Sequence, residues 1–295
     1  MFTIVTPASS ANIGPGFDSM GMALGRYLTL HVEEASAWEF VHDTKHIPPI
    51  HRYQDHYIYK VAHQVAEWHQ VSLPPCRVIM QSDIPLARGL GSSASAIIAG
   101  IELTNILCDL QLTESEKLDY AVRIEGHSDN VAAALLGGCV VTVKMGDDAK
   151  YKKLPPIETD IVIYIPKVEL KTSDSRNVLP TEYEQADATT ASGVSNLMIS
   201  SLIMGDYELA GQMMESDLFH ESYRAKLVPN YYEIRTRARE LGAYGTVISG
   251  AGPTMISFVP TGKGESIAQT MDSFLDDYEV ESLKLDEIGL RTTMK

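Results

Sequence analysis

Three groups of residues carry backbone or side chains suited to chemistry. The first is PLARGLGSSASA (residues 85–96), where Gly89 and Gly91 precede Ser92, Ser93, Ala94 and Ser95. A glycine-rich turn that feeds a helix start presents unpaired N–H groups and the positive end of a helix dipole, which suits phosphate. The second is RIEGHSDN (123–130), which gathers Glu125, His127, Asp129 and Asn130. A carboxylate beside a phosphate loop is a natural partner for Mg2+, a hard ion that takes oxygen ligands. The plainer reading of this stretch is a polar helix end, with Ser128 or Asp129 capping the next helix. The third group is a pair of arginines in an acidic chain, Arg176 in TSDSRNVLP and Arg224 in YRAKLVPN. A guanidinium fork grips a carboxylate at two points, so together they suit an amino acid's carboxyl group, although either alone reads as a surface ion pair. Asn12 and Asp18, in PASSANIGPGFDSMG (7–21), add hydrogen-bonding groups within a turn-like run of small residues.

The elements around the first group follow from local pattern. CRVIMQSDI reads as a strand that Pro85 ends, having no N–H for a ladder. Ala94, Ile97, Ile98 and Ile101 then fall at helical spacing, and Ser92 or Ser93 is the expected cap. Two familiar phosphate loops do not fit. A Walker loop needs a lysine after its last glycine, and none follows Gly91. GLGSSA does match the dinucleotide pattern G-x-G-x-x-A, with Asp109 as a ribose-binding acid. That pattern leaves its strand directly and returns to a parallel strand, whereas Pro85 and LAR intervene here and a second helical pattern covers 113–125.

Further strands are expected near 2–6, 26–34, 76–84 and 138–144, and helices near 56–69, 92–108 and 113–125. MGDDAKYKKLPPIETD (145–160) reads as a linker, with its charges and paired prolines. Beyond it come the strand DIVIYIP, helices near 187–204, 206–216 and 229–241, a strand pair around SGAGPT, a helix and a last strand. Helices and strands mix in both halves, so the expected class is α+β in two domains, 1–154 and 155–295.

The 295 residues are 44% hydrophobic, enough for a large core, and the formal net charge of −15 argues against nucleic acid or an anionic membrane as partner. The longest apolar run, 131–143, is interrupted by glycines and too short to span a bilayer, and the N-terminus lacks a basic leader. A cytoplasmic protein is expected. Cys76, Cys108 and Cys139 are odd in number and widely spaced, which suits reduced thiols.

Taken in order, PASSANIGPGFDSMG, PLARGLGSSASA, EGHSDNVAAALLGG, TSDSRNVLP, YRAKLVPNY and SGAGPT resemble the motifs of the GHMP kinases, in the form found in the branch that phosphorylates homoserine. The resemblance runs from residue 6 to residue 254. It implies an N-terminal ATP-binding domain with a left-handed βαβ unit and a ferredoxin-like C-terminal domain. It also implies that Mg·ATP and L-homoserine are the partners, and that the molecule is a homodimer. Pro85, Leu86, Ala87, Arg88, Gly89, Leu90, Gly91, Ser92, Ser93, Ala94 and Ser95 correspond to the ATP loop. Glu125, with Ser92 or Ser93, corresponds to the Mg2+ ligands. Asn12, Asp18, Asp129, Thr172, Arg176 and Arg224 correspond to substrate-binding positions, the arginines for the carboxylate and the acids for the ammonium. Asn130 corresponds to the residue beside the reacting hydroxyl, so that Asn130, Asp129, Asp18 and Glu125 make up the catalytic set. His56 stands where many relatives carry an asparagine near the adenine. Relatives of the mevalonate-kinase type activate the alcohol with an aspartate and a lysine, but the first motif here has no lysine. Direct transfer without a strong protein base is therefore the expected route. Two other readings remain at this point, a kinase for another small alcohol and a non-catalytic nucleotide sensor.

Overall fold

The structure, a computed structural model, describes residues 1–46, 48, 50–146 and 148–294. The first part of the chain forms β1 (Phe2–Asn12), β2 (Gly16–Glu34), β3 (Glu39–His42), α1 (Tyr57–Trp68), β4 (Cys76–Ser82), α2 (Ser92–Leu107), α3 (Glu114–Glu125), α4 (Asp129–Leu136), β5 (Cys139–Met145) and β6 (Asp148–Lys153). It continues with β7 (Thr159–Pro166), α5 (Thr172–Asn177), α6 (Gln185–Met204), α7 (Tyr207–Met214), α8 (Glu221–Arg224) and α9 (Tyr231–Glu240). The last elements are β8 (Gly245–Ile248), β9 (Met255–Pro260), α10 (Gly264–Asp272), β10 (Tyr278–Leu283) and β11 (Arg291–Met294).

Among the described residues there are two sheets. The larger has the order β11-β1-β2-β4-β3, with β5 paired to the first half of β2 and β6 to β5. Here β3 and β4 run parallel with α1 between them, a βαβ unit. The smaller, antiparallel sheet has the order β10-β7-β9-β8, so that β7, β8, β9 and β10 take the 4-1-3-2 arrangement of a ferredoxin-like βαββαβ fold. Its strand β7 is buried at every position, which explains the unbroken apolar run IVIYI. The mixed α+β class agrees with the sequence reading.

Three features depart from it. β1 extends to Asn12 rather than ending near residue 6, and β2 begins at Gly16. The expected loop is therefore the tip of a long hairpin. Ala8, Ser9, Ser10 and Ala11 hide the strand pattern because both faces are covered: Ser95 Oγ donates to the Pro7 carbonyl from α2, while Ser249 Oγ donates to Ser10 Oγ from the other side. Side chains must be small where two layers close on one strand. The expected linker is also largely strand, since Asp148–Lys153 pairs with β5, while residue 147 lies outside the described residues. An edge strand carrying three lysines looks like a linker because charge on its exposed positions protects its open edge. Finally, β11 pairs with β1 and was not foreseen; it adds an edge strand to the first sheet.

Helix α2 lies at the centre. Ile97, Ile98 and Ile101 are wholly buried, each contributing roughly 1.5–3 kcal/mol. On one side a Cβ at Gly100 would come within 2.8 Å of the Val61 side chain, so glycine lets α1 pack closely. This burial fixes the direction in which the start of α2 points.

Candidate active site

The start of α2 opens into a cleft of about 390 Å³, a size suited to a small ligand. Gly89 and Gly91 lie in the left-handed region, with φ of +72° and +66°. Glycine is required at both: a Cβ on Gly89 would come within 2.3 Å of the Ser249 carbonyl oxygen, and one on Gly91 within 2.0 Å of Ser9 Oγ. The expected serine cap is corrected here. Gly91 occupies the cap position and no side chain caps the helix, because Ser92 and Ser93 already lie in its first turn. The first N–H groups of α2 therefore lack intrahelical acceptors and face the cleft lined by Gly91, Ser92 and Ser93. Ala94 and Ser95, by contrast, are buried beneath the loop, with Ser95 Oγ donating to the carbonyls of Pro7 and Gly91.

Arg88 lines the cleft but spends its guanidinium elsewhere. It donates to the carbonyls of Leu86 (3.1 Å), Pro166 (2.9 Å) and Lys167 (2.6 Å), and Glu169 lies 3.5 Å away. Its role in this structure is to tie the loop to the end of β7. Pro85, Leu86, Ala87 and Leu90 line the same wall, and His56 lies at the apolar end with Leu28, Met80 and Tyr57. His56 is buried and stacks on Phe40 at 4.0 Å between ring centroids. Burial, with a smaller contribution from His42, pushes its pKa down to about 4, so the ring is neutral near pH 7.

A polar chain runs from the start of α2 to the start of α4. Ser93 Oγ donates to Glu125 Oε1 at 2.6 Å, and the same carboxylate oxygen lies 3.8 Å from His127 Nε2. His127 Nδ1 bonds Asp129 Oδ1 at 2.8 Å, and that oxygen also accepts from the Asn130 N–H at 2.7 Å. Burial works to lower the His127 pKa, but the hydrogen bond and the charges of Asp129 and Glu125 outweigh it and raise the pKa. Ser128 occupies the cap position of α4, but its side chain accepts no bond from the helix start. The Ser93 and Glu125 oxygens also fit a divalent ion: adjacent oxygens around an octahedral Mg2+ lie about 2.9 Å apart, close to their separation here.

The other end of the cleft is built from the hairpin tip, α5, α8 and the turn after β8. Asp18 sits at φ +52°, a conformation that aspartate tolerates better than most residues. Arg176 grips it with both fork nitrogens, at 2.8 and 3.1 Å. Thr172 and Arg176, one turn apart on α5, both line the cleft. Arg224 is 2% exposed and donates to the carbonyls of Ser175 and Gly250. Burial first, then the neighbouring Arg176, holds its pKa below the usual arginine range. Two guanidiniums lining one cleft favour an anion there. Asn12 is more constrained than expected: its Nδ2 donates to the Gly250 carbonyl and its Oδ1 accepts from the Asp18 N–H, so it joins the hairpin tip to the turn after β8.

Glu125, Asp129, Asn130, Asp18, Asn12, Thr172, Arg176, Arg224 and His56 thus meet in one cleft. Sequence reasoning missed Ser9, Phe17, Gly250 and Ala251. Phe17 places its ring under both guanidiniums, at 6.0 Å from Arg176 and 5.4 Å from Arg224. SGAGPT signalled a turn, but its approach to Asn12 and Arg224 exists only in three dimensions.

Comparison with known proteins shows the family to which this fold belongs. The family model described as GHMP kinases N terminal domain matches residues 56–138, and that described as GHMP kinases C terminal matches 198–277. A homoserine kinase from Oceanobacillus iheyensis is 49% identical over 291 residues, covering 98% of each chain. One from Bacillus licheniformis is 44% identical over 98% of this chain and 95% of its own. The crystal structure of homoserine kinase from Cytophaga hutchinsonii superposes with a TM-score of 0.86 at 26% identity, over 99% of this chain and 97% of that one.

Proposed function

The chain belongs to the GHMP kinases, and from that premise we propose that it transfers the γ-phosphoryl group of ATP to the side-chain hydroxyl of L-homoserine. It is an ATP-dependent small-molecule kinase, and its product, O-phospho-L-homoserine, is an intermediate on the way to threonine. One observation carries the substrate reading: an uncapped helix start faces a pair of guanidiniums across a single cleft. One end suits a polyphosphate and the other a zwitterionic amino acid. In this reading residues 1–154 supply the phosphate loop and 155–295 the two arginines. A cytoplasmic homodimer completes the proposal.

Triphosphate oxygens meet the N–H groups of the loop and of the first turn of α2, where the dipole favours negative charge. Glu125 and Ser93 would hold Mg2+, which neutralises charge on the β- and γ-phosphates when bound. The homoserine carboxylate takes the free edges of Arg224 and Arg176, and its ammonium lies toward Asp18 and Asp129. Asn130 meets the reacting hydroxyl. Both candidate carboxylate bases are already engaged, Asp18 by Arg176 and Asp129 by His127. That supports direct transfer, in which alignment and charge stabilisation do most of the work and the proton goes to the phosphoryl group.

The test is ADP release from Mg·ATP with homoserine, serine, threonine, mevalonate and galactose offered in turn. Homoserine should be preferred, and no homoserine-dependent ADP would sink the proposal, leaving a nucleotide sensor or another alcohol's kinase. If Asp129→Asn abolished turnover without weakening homoserine affinity, direct transfer would give way to a carboxylate base.

A further inference from the structure

We propose that Ser9 is a positioning residue for the phosphoryl acceptor, holding the Asn130 amide with its oxygen inward and its NH2 group turned into the cleft. The proposal rests on the reading that Asn130 meets the reacting hydroxyl. Ser9 lies in β1, wholly buried, and its N–H donates to the Leu90 carbonyl at 3.1 Å. Its Oγ donates to Asn130 Oδ1 at 2.9 Å. Asn130 lines the cleft, and among the described residues its Nδ2 has no hydrogen-bond partner. Gly91 makes the room: a Cβ there would come within 2.0 Å of Ser9 Oγ and 3.1 Å of Asn130 Oδ1. Three segments, β1, the phosphate loop and α4, therefore converge on one hydroxyl.

The direction of that hydrogen bond decides what Asn130 can do. With its oxygen turned toward Ser9, the amide presents to the acceptor alcohol its N–H donors and no proton acceptor. The alcohol oxygen accepts from Nδ2 with one lone pair and attacks the γ-phosphorus with the other. As the new O–P bond forms, the bond from the γ-phosphorus to the bridging oxygen breaks and its electron pair leaves with ADP. The alcohol proton, directed away from Asn130, passes to an oxygen of the transferred phosphoryl group. No protein base is needed for the balance. With the amide reversed, the Asn130 oxygen would instead face the alcohol proton.

The experiment compares kcat and both KM values for the unmodified enzyme and for Ser9→Ala, Asn130→Ala, their double variant, Ser9→Cys and Asn130→Asp, with thermal unfolding of each. Ser9→Ala should lower kcat roughly 10- to 100-fold, the scale of a misplaced reacting group, with each KM changed by less than about threefold. Ser9→Cys, a weaker donor of similar shape, should fall between it and the unmodified enzyme. Asn130→Ala should lose at least as much as Ser9→Ala, and the double variant no more than Asn130→Ala alone, because Ser9 acts through Asn130. Asn130→Asp should be nearly inactive at every pH. Three results overturn the proposal: a Ser9→Ala enzyme that folds with unchanged kcat, independent, multiplicative losses in the double variant, or an Asn130→Asp enzyme whose kcat rises as its carboxyl ionises. Should Ser9→Ala not fold, the Ser9→Cys and Asn130→Asp results still decide. Absence of homoserine-dependent ADP release by the unmodified enzyme would instead bring down the functional reading.

Discussion

Helices α2 and α3 follow one another along the chain, and their starts are put to opposite uses. At the start of α3, Thr113 Oγ1 accepts from the Glu116 N–H and Glu116 reaches back to the Thr113 N–H, a closed capping box. At the start of α2, Gly91 precedes two serines and no side chain caps anything. One helix satisfies its own donors and is finished as a structural element. The other leaves them open toward a ligand and depends on burial of its middle turns for stability. A helix start becomes a binding site through what is withheld from it.

Removing the partner that completes the open end should cost most. Glu125→Ala is expected to lower kcat by about 10²–10³-fold, as loss of a single transition-state contact commonly does, with the unfolding midpoint little changed; an ADP assay across a Mg2+ series reads this, and full activity would show that Ser93 and Glu125 do not serve the phosphates. Closing the open end is the direct attack on the contrast. Ser92→Asp places a negative charge in the first turn, so the helix should gain about 0.3–1 kcal/mol while the ATP KM rises about tenfold or more by repulsion. Unchanged ATP affinity would mean that the α2 start holds no phosphate. The far end of the cleft should respond separately: Arg224→Lys, which loses the planar fork, should raise the homoserine KM roughly tenfold and leave the ATP KM alone. Thr113→Ala at the closed end should cost about 1 kcal/mol, lowering Tm by about 2 °C, with identical kinetics; any kinetic change would undo the division of roles.

The smallest effect concerns pH. The His127 pKa is raised above its ordinary 6.5, with burial opposing the shift and Asp129 and Glu125 driving it. Stability from the charged ring is thus fully present below the ordinary value and lost as pH rises through the raised one. The enzyme's Tm should decline over that window more than that of His127→Gln, and parallel curves for the two as pH rises from below the ordinary value would remove the ion pair from the account.

Much of the site was legible because its motifs are contiguous. Gly89 and Gly91 announce a loop that needs positive φ, and the spacing of Ile97, Ile98 and Ile101 announces the helix behind it. Other features were hidden for identifiable reasons. The small residues of β1 carry no alternation because both faces are covered, and the lysines of β6 disguise an edge strand. Arg88 belongs to the ATP-loop motif, but the carbonyls of Leu86, Pro166 and Lys167 take its donors.

The sequence by itself determined the residue types and the local geometry: a glycine turn, an amphipathic or fully apolar helix, a pair of arginines and a set of carboxylates. These depend on interactions within a few residues. Only the tertiary structure decided which groups remain free. Ser9 and Asn130 are 121 positions apart, and Asp18 and Arg176 are 158 apart. Hydrogen bonds over such separations depend on how the two sheets and α2 pack, and a donor's availability is set by whichever acceptor the packing brings to it.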